Sequence, residues 1–220
     1  MKTRPAEIEN GSMAIITAEL SARGIALPPE NAAVILRCIH ASADFDYAEN
    51  LRFTPGAVSA AVEALRQGAE IVTDTNMALA GVSRPGLQKL QSAAYCYMAD
   101  ERVVNTARAQ GSTRAAAAVD LAAVEHPGAI LAVGNAPTAL LRIAEKIEAG
   151  LRPALVIGVP VGFVNVVESK ERVLEVCTRY GMPAIVALGR KGGSSIAAAV
   201  CNALLYTASD MLDPKERGWS

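Results

Sequence analysis

Residues 154–180 read ALVIGVPVGFVNVVESKERVLEVCTRY. An apolar, β-branched run (154–160) passes through a glycine-punctuated loop into a segment, 169–180, patterned as an amphipathic helix. A run that is apolar at nearly every position, rather than at alternate ones, suits a strand buried on both faces of a sheet. The same succession recurs along the chain. EIVTD (70–74), AAYCYM (93–98), AILAVG (129–134) and AIVALG (184–189) are the other short runs, and helical patterns occupy about 55–67, 76–90, 100–124, 136–149 and 194–208. Strands alternating with helices of this length imply βαβ units with right-handed crossovers, and hence a doubly wound α/β fold around a parallel sheet of five strands. The alanine-rich stretch at 107–125 fits a closely packed helix within that scheme.

Upstream, the pattern is purely helical. Pro5 to Arg23 places Ile8, Ile15, Ile16 and Leu20 near helical spacing before Gly24, and LPPENAAVILRCIHASAD reads as a second helix opening at Pro29 and ending near Ala43. The 220 residues therefore suggest one domain, with N-terminal helices at about 5–43 and the doubly wound part at about 51–210. Apolar residues make up 51% of the chain and aromatics only 4%, so the core is built from Ala, Val, Ile and Leu, which disfavours sandwiches and propellers.

Charge and cysteine content narrow the function classes. A formal net charge of -1 supplies no global field for nucleic acid or membrane, so any bound anion needs a local cluster. The four cysteines (Cys38, Cys96, Cys177 and Cys201) have no C-x-x-C pair and form no Cys/His cluster at metal-ligand spacing, which points to reduced thiols and not to zinc or disulfides. The N-terminus lacks a signal-peptide pattern and no segment is apolar enough to span a bilayer, so a cytoplasmic protein is expected.

In an open parallel sheet, ligands bind beyond the carboxyl ends of the strands, where helix N-termini present free N–H groups. The loops there read TDTNMALAGVSR (73–84), GNAPTALL (134–141), GVPVGFVNVVESKE (158–171) and GRKGGSSIAAA (189–199). The last is the most specific: its glycines allow close backbone approach, Arg190 and Lys191 add charge, and Ser194 can cap a helix. Neither a Walker loop nor a G-x-G-x-x-G fingerprint is present, so carboxylates are the more natural anions, and Arg84 and Arg114 could fork them bidentately. Any one such loop is ordinarily only a turn, but four on one edge are not an ordinary accident.

His40, in RCIHASADFDY (37–47), is one of two histidines in the chain. It falls near a helix C-terminus, where the macrodipole and Asp44 four residues on would favour imidazolium, while Arg37 three residues earlier would oppose it unless an anion binds. The competing reading is a structural histidine bonded to Asp44. His126, in EHPG, reads as a turn residue, and the absence of G-x-S-x-G disfavours serine hydrolase chemistry.

RCIHASADFDYAENLRF, TDTNMALAGV, GNAPTALLRI, PVGFVNVVESKE and GRKGGSSIAAAVCNALL, in this order, resemble the precorrin-8X methylmutase family of cobalamin biosynthesis over nearly the whole chain. The resemblance implies an isomerase that moves a methyl group from ring carbon 11 to carbon 12 of precorrin-8X or cobalt-precorrin-8, with no diffusible cofactor, no protein-bound metal, and any cobalt carried by the substrate. It implies a flavodoxin-like, five-stranded, three-layer α/β/α architecture and a homodimer, with product handed to the next pathway enzyme. His40 aligns with the family's proton-exchanging histidine, and Ser12, Arg37 and Arg114 align with its substrate contacts. A macrocycle fringed with acetates and propionates also suits the hydroxyl, arginine and glycine rim, so Ser83, Arg190, Lys191, Gly192 and Gly193 join as candidate contacts. The ADFDYAENLRF segment looks more like the cobalt-ring enzymes. Two other readings compete: a non-catalytic corrinoid carrier, which would not need His40, and, on GRKGGSS alone, a nucleotide-binding transferase.

Overall fold

The computed structural model of the protein describes residues 4–218. The chain opens with α1 (Pro5–Ala22), α2 (Ala32–Ser42) and α3 (Tyr47–Asn50), followed by β1 (Leu51–Phe53) and α4 (Ala57–Arg66). Then come β2 (Ile71–Thr73), α5 (Asn76–Gly81), α6 (Arg84–Lys89), β3 (Ala94–Tyr95), α7 (Glu101–Gln110) and α8 (Arg114–Glu125). The remainder is β4 (Ile130–Val133), α9 (Pro137–Glu148), β5 (Leu155–Gly158), α10 (Val166–Arg179), β6 (Ala184–Ala187), α11 (Ser194–Ala208) and a 3₁₀ turn at Pro214–Arg217.

The sheet has six strands in the order β1-β6-β5-β4-β2-β3, and it is mixed, not the five-stranded all-parallel sheet expected from the pattern. Five strands do run parallel. The sixth, β1, adds antiparallel to β6 in the register Leu51↔Ala187, Arg52↔Val186 and Phe53↔Ile185. Three residues wedged between a helical turn and Thr54-Pro55 are too few to show a period, so β1 had no signal of its own. AAYCYM shortens to Ala94–Tyr95, an edge strand. Two of the expected helices are each split. Gly111, at φ 62°, ends α7 in a left-handed cap, and Ser83 with Pro85 restarts the chain as α6.

Strand side chains alternate between two apolar layers. Ile71, Ile130, Ala132, Leu155, Ile157 and Ile185 face α2, α4, α5 and α11, whereas Val72, Leu131, Val133, Val156 and Val186 face α8, α9 and α10. The layer containing α11 also takes in Ile16 and Leu20 of α1 and Val34, Ile35, Cys38 and Ile39 of α2, so the N-terminal helices share the sheet's core. Being covered by the sheet on one side and by α2 on the other explains why α11 is apolar on nearly every face. Cys38, Cys177 and Cys201 lie in these layers, and burial pushes each thiol up to about 12, where it is unreactive.

Candidate active site

The loops after β2, β4, β5 and β6 are fastened to one another at the carboxyl edge of the sheet. Thr75 Oγ1, after β2, meets Ser194 Oγ, after β6, at 2.8 Å. A Cβ on Gly134 would stand 2.8 Å from the Ser194 Cα, so the GNAP loop also lies against the start of α11. Gly193 N donates to Val159 O at 2.8 Å and Gly162 N to Arg190 O at 3.2 Å, joining the loops after β5 and β6.

Along this edge α10 and α11 begin without a side-chain cap, but the start of α9 is filled from within the protein. Asp74, buried at the end of β2, accepts from the backbone N–H groups of Gly134, Asn135 and Ala136, each at 2.8 Å, so α9 begins on a protein carboxylate. Burial raises the Asp74 carboxyl above its usual range, and the three N–H groups pull against that rise. Ser83 is likewise engaged: its Oγ caps α6 through Gly86 N at 3.3 Å, and its own N–H donates to Asn202 Oδ1 at 2.7 Å. Gly192 and Gly193, at φ 157° and 129°, let two backbones touch, since a Cβ on Gly192 would sit 2.1 Å from Val159 O.

Beneath the β6–α11 loop lies a residue of the PVGFVNVVESKE stretch that was not among the expected site residues. Lys170 is fully buried (0% exposed), and its Nζ donates to Gly189 O and Lys191 O, both at 2.8 Å. Burial lowers its ammonium to about 8. A signal for it is nonetheless present in the sequence: Val166, Lys170, Val173 and Cys177 share the buried stripe of α10, which puts a lysine where an apolar residue is expected.

The α2 segment reaches the same loop. Lys191 Nζ pairs with Asp44 Oδ2 at 2.6 Å and Asp46 Oδ2 at 2.5 Å, tying the chain just beyond α2 to the glycine loop. Ala43, at φ 55°, closes α2 in a left-handed cap, with His40 in its last turn. Asp44 therefore serves Lys191 and not His40, which overturns the expected imidazole–carboxylate pair. Of the opposed influences expected on the imidazole, the one from Arg37 prevails over the helix-end bias toward imidazolium. Burial pushes the His40 imidazole below its ordinary 6.5, the Arg37 charge lowers it further, and Glu9 only partly opposes them.

Arg37 has a protein partner that the sequence did not reveal. Its Nη2 donates to Glu9 Oε1 at 2.8 Å, and Arg217 Nη2, from the 3₁₀ turn, reaches the same oxygen at 2.7 Å. Both guanidiniums lie over the Tyr206 ring, at 5.3 and 4.4 Å from its centroid. Burial raises the Glu9 carboxyl, but the two arginines outweigh it and hold it below its ordinary value. Ser12, one turn along α1 from Glu9, donates its hydroxyl to Ile8 O at 2.9 Å.

Arg114 and Arg190 have exposed heads. Arg114 opens α8 directly after the cap Thr113, whose hydroxyl is 2.8 Å from that of Thr138 in the first turn of α9. Arg190 lies over the exposed ring of Phe163, 5.4 Å from its centroid. The structure thus gathers the last turn of α2, the β6–α11 loop and the β5–α10 loop at one edge. Ser12, Ser83 and Arg114 are not brought to His40 by any hydrogen bond or ion pair among the described residues.

The second histidine forms a different cluster. His126 meets Glu70 through Nδ1 and the Tyr97 hydroxyl through Nε2 at 2.6 Å, and it stacks on Tyr95 at 4.5 Å between centroids. This group lies at the starts of β2 and β4, the edge opposite the loops above, so EHPG is more than a bare turn.

The family model described as Precorrin-8X methylmutase matches residues 7–207. A cobalt-precorrin-8 methylmutase of Leptospira interrogans is 41% identical, covering 92% of this chain and 93% of its own. That of Salmonella typhimurium is 46% identical, covering 81% and 82%. A precorrin-8X methylmutase of Pseudomonas aeruginosa is 41% identical, covering 88% and 91%. Among solved structures, the precorrin-8x methyl mutase of Thermus thermophilus superposes with a TM-score of 0.83 at 40% identity, covering 93% of this chain and 98% of that one.

Proposed function

Because the chain belongs to the precorrin-8X methylmutase family, we propose that His40 exchanges a proton with the corrinoid ring while a methyl group moves from ring carbon 11 to carbon 12. The protein is an isomerase of cobalamin biosynthesis, an intramolecular methyl transferase. The observation that carries the site assignment is the Lys191 bridge to Asp44 and Asp46, which holds the last turn of α2 against the glycine loop at the carboxyl edge.

An isomerisation leaves the proton count unchanged, so a proton lent to the ring as the methyl group migrates is balanced by the loss of one from the ring. The setting of His40 suits this exchange. Burial and Arg37 keep the imidazole neutral, and a substrate bringing carboxylates would raise its proton affinity only when the ring is in place.

The candidate contacts divide by what they already hold. Arg114 and Arg190 present exposed guanidiniums suited to carboxylate forks. Arg37 and Lys191 sit in ion pairs that a substrate carboxylate would join or displace. Ser83, Gly192 and Gly193 shape the rim through the bonds and close approaches described above, and Ser12 lies a turn along α1 from the Arg37 partner.

We read the chain as one domain, with the five parallel strands forming a flavodoxin-like arrangement to which β1 is added. We propose further a homodimer, on the family resemblance, together with hand-over of product to the next enzyme and a cytoplasmic location, which suits a biosynthetic enzyme; no described helix is long and apolar enough to cross a membrane. We also propose that cobalt, where it takes part, enters with the ring, a reading supported by the relatives' name cobalt-precorrin-8 methylmutase, and that the reaction needs no cofactor of the chain's own.

The test is to mix the protein with precorrin-8, with and without cobalt, and follow the visible spectrum beside His40→Ala. Conversion by the native chain and at least ~100-fold slower conversion by the variant, with binding retained, is the expected result. Normal turnover by His40→Ala would remove the proton-exchange role. A ring bound but returned unchanged by both proteins would favour the carrier.

A further inference from the structure

The chain has three phenylalanines, and one of them stands in open solvent. Phe163 is 79% exposed, flanked by Val164 at 77% and Val161 at 49%, in the loop that leaves β5. A flexible tip would collapse such side chains onto the surface, but this loop is held. Gly162 N donates to Arg190 O at 3.2 Å, Val159 O accepts from Gly193 N at 2.8 Å, and Asn165 turns the chain into α10 at φ 57°. The loop is thus held from both sides of Phe163 while its apolar side chains face water.

We infer that Phe163 is a platform for one face of the conjugated macrocycle, with Arg190 beside it taking one of the ring's carboxylates. The inference rests on the methylmutase reading and deepens it. Three features of the site agree with that occupant. A flat π-system of low polarity matches an exposed aromatic face and its valine flanks. The guanidinium 5.4 Å from the Phe163 centroid covers part of that ring and offers a fork to an anionic arm, the charge complement of a carboxylate-fringed ligand. Arg190 and Lys191 are consecutive: one reaches Phe163 and the other the Asp44 and Asp46 pair just beyond the helix that carries His40, so one loop couples the platform to the proposed proton donor. A ring seated on Phe163 gains contact that is the same before and after methyl migration, which is uniform binding and acts on KM, not kcat.

The experiment is steady-state turnover of the precorrin-8 ring by Phe163→Ala, Phe163→Tyr and the native protein. It is joined by binding of cobyrinic acid as a stable corrinoid probe and by sedimentation of each protein. Expected for Phe163→Ala is a KM and a probe Kd raised about five- to tenfold with kcat within about twofold, Phe163→Tyr close to native, and sedimentation unchanged. Native KM and Kd in Phe163→Ala would overturn the inference while leaving the methylmutase reading intact. A loss of association in Phe163→Ala would also overturn it, because the patch would then be covered by a second copy of the chain. Failure of the native protein to convert either ring would overturn the methylmutase reading itself, and the platform with it.

Discussion

His40 shows how a residue's surroundings can reverse the expectation drawn from its place on a helix. Its position in the last turn of α2 favours imidazolium, but that stabilisation is only ~0.5–2 kcal/mol, and burial beside Arg37 outweighs it. The sign for stability follows. With a folded-state value below 6.5, the unfolded chain binds more protons in the interval between the two values. The contribution is therefore complete above about 6.5 and is lost as pH falls through the folded value. The imidazole proton resonance, assigned by its loss in His40→Ala, should titrate with a midpoint below 6.5 in the protein alone and shift upward with cobyrinic acid bound. A midpoint at or above 6.5 without the corrinoid would show that burial and Arg37 do not govern this group. The scarcity of histidine drew attention to His40, and the resemblance of RCIHASAD to the family made it the candidate. Its partners were not, because Glu9 and Arg217 are joined to Arg37 only by packing across α1 and the 3₁₀ turn.

At the level of elements, the β6–α11 loop is the joint of the site. GRKGGSS is conspicuous as glycine-rich and basic, and an anion cradle is the natural reading of it. In the folded chain the glycines serve another end. They allow the loop to lie on the backbone after β5, while Lys170 from α10 ties its carbonyls from below. Gly189 and Gly192 separate the two possible needs for glycine. Gly189 has φ 74° with open space around a Cβ, so Gly189→Ala carries only the cost of the backbone conformation, about 1 kcal/mol. Gly192→Ala would drive a Cβ to 2.1 Å from Val159 O and should cost about 2 kcal/mol or more, with weaker corrinoid binding as the loop shifts. Urea unfolding of the two variants side by side measures the difference, and equal losses would mean that the contact with Val159 relaxes freely.

Across the whole molecule, Glu9 closes the chain on itself. Its carboxylate receives Arg37 from α2 and Arg217 from a turn 208 residues away, joining both ends of the sequence over Tyr206 of α11. A buried ion cluster of this kind is weak support for stability against an apolar replacement, but removing one member leaves the others uncompensated. Glu9→Gln should therefore cost about 3 kcal/mol at neutral pH, read from thermal or denaturant unfolding. Because the folded-state value of Glu9 lies below its ordinary 4.5, its contribution is present above that pH and is lost as pH falls through the folded value. The gap between native and variant should accordingly narrow in acid; a gap independent of pH would place the loss in packing and not in charge.

The sequence by itself determined the layered α/β plan, because strands buried on both faces must be apolar throughout and their helices must carry one apolar stripe. Together with the order of its motifs, it also singled out the family. Tertiary structure alone decided the rest. The strand Leu51–Phe53 exists because β6 offers it an antiparallel edge, Asp74 fills the start of α9 because β2 and β4 are neighbours, and Lys170 is buried because a distant loop supplies two carbonyls. Local patterning records which face of an element is apolar. It does not record which polar groups from remote parts of the chain will meet there, and those meetings fix how the loops at the carboxyl edge are joined.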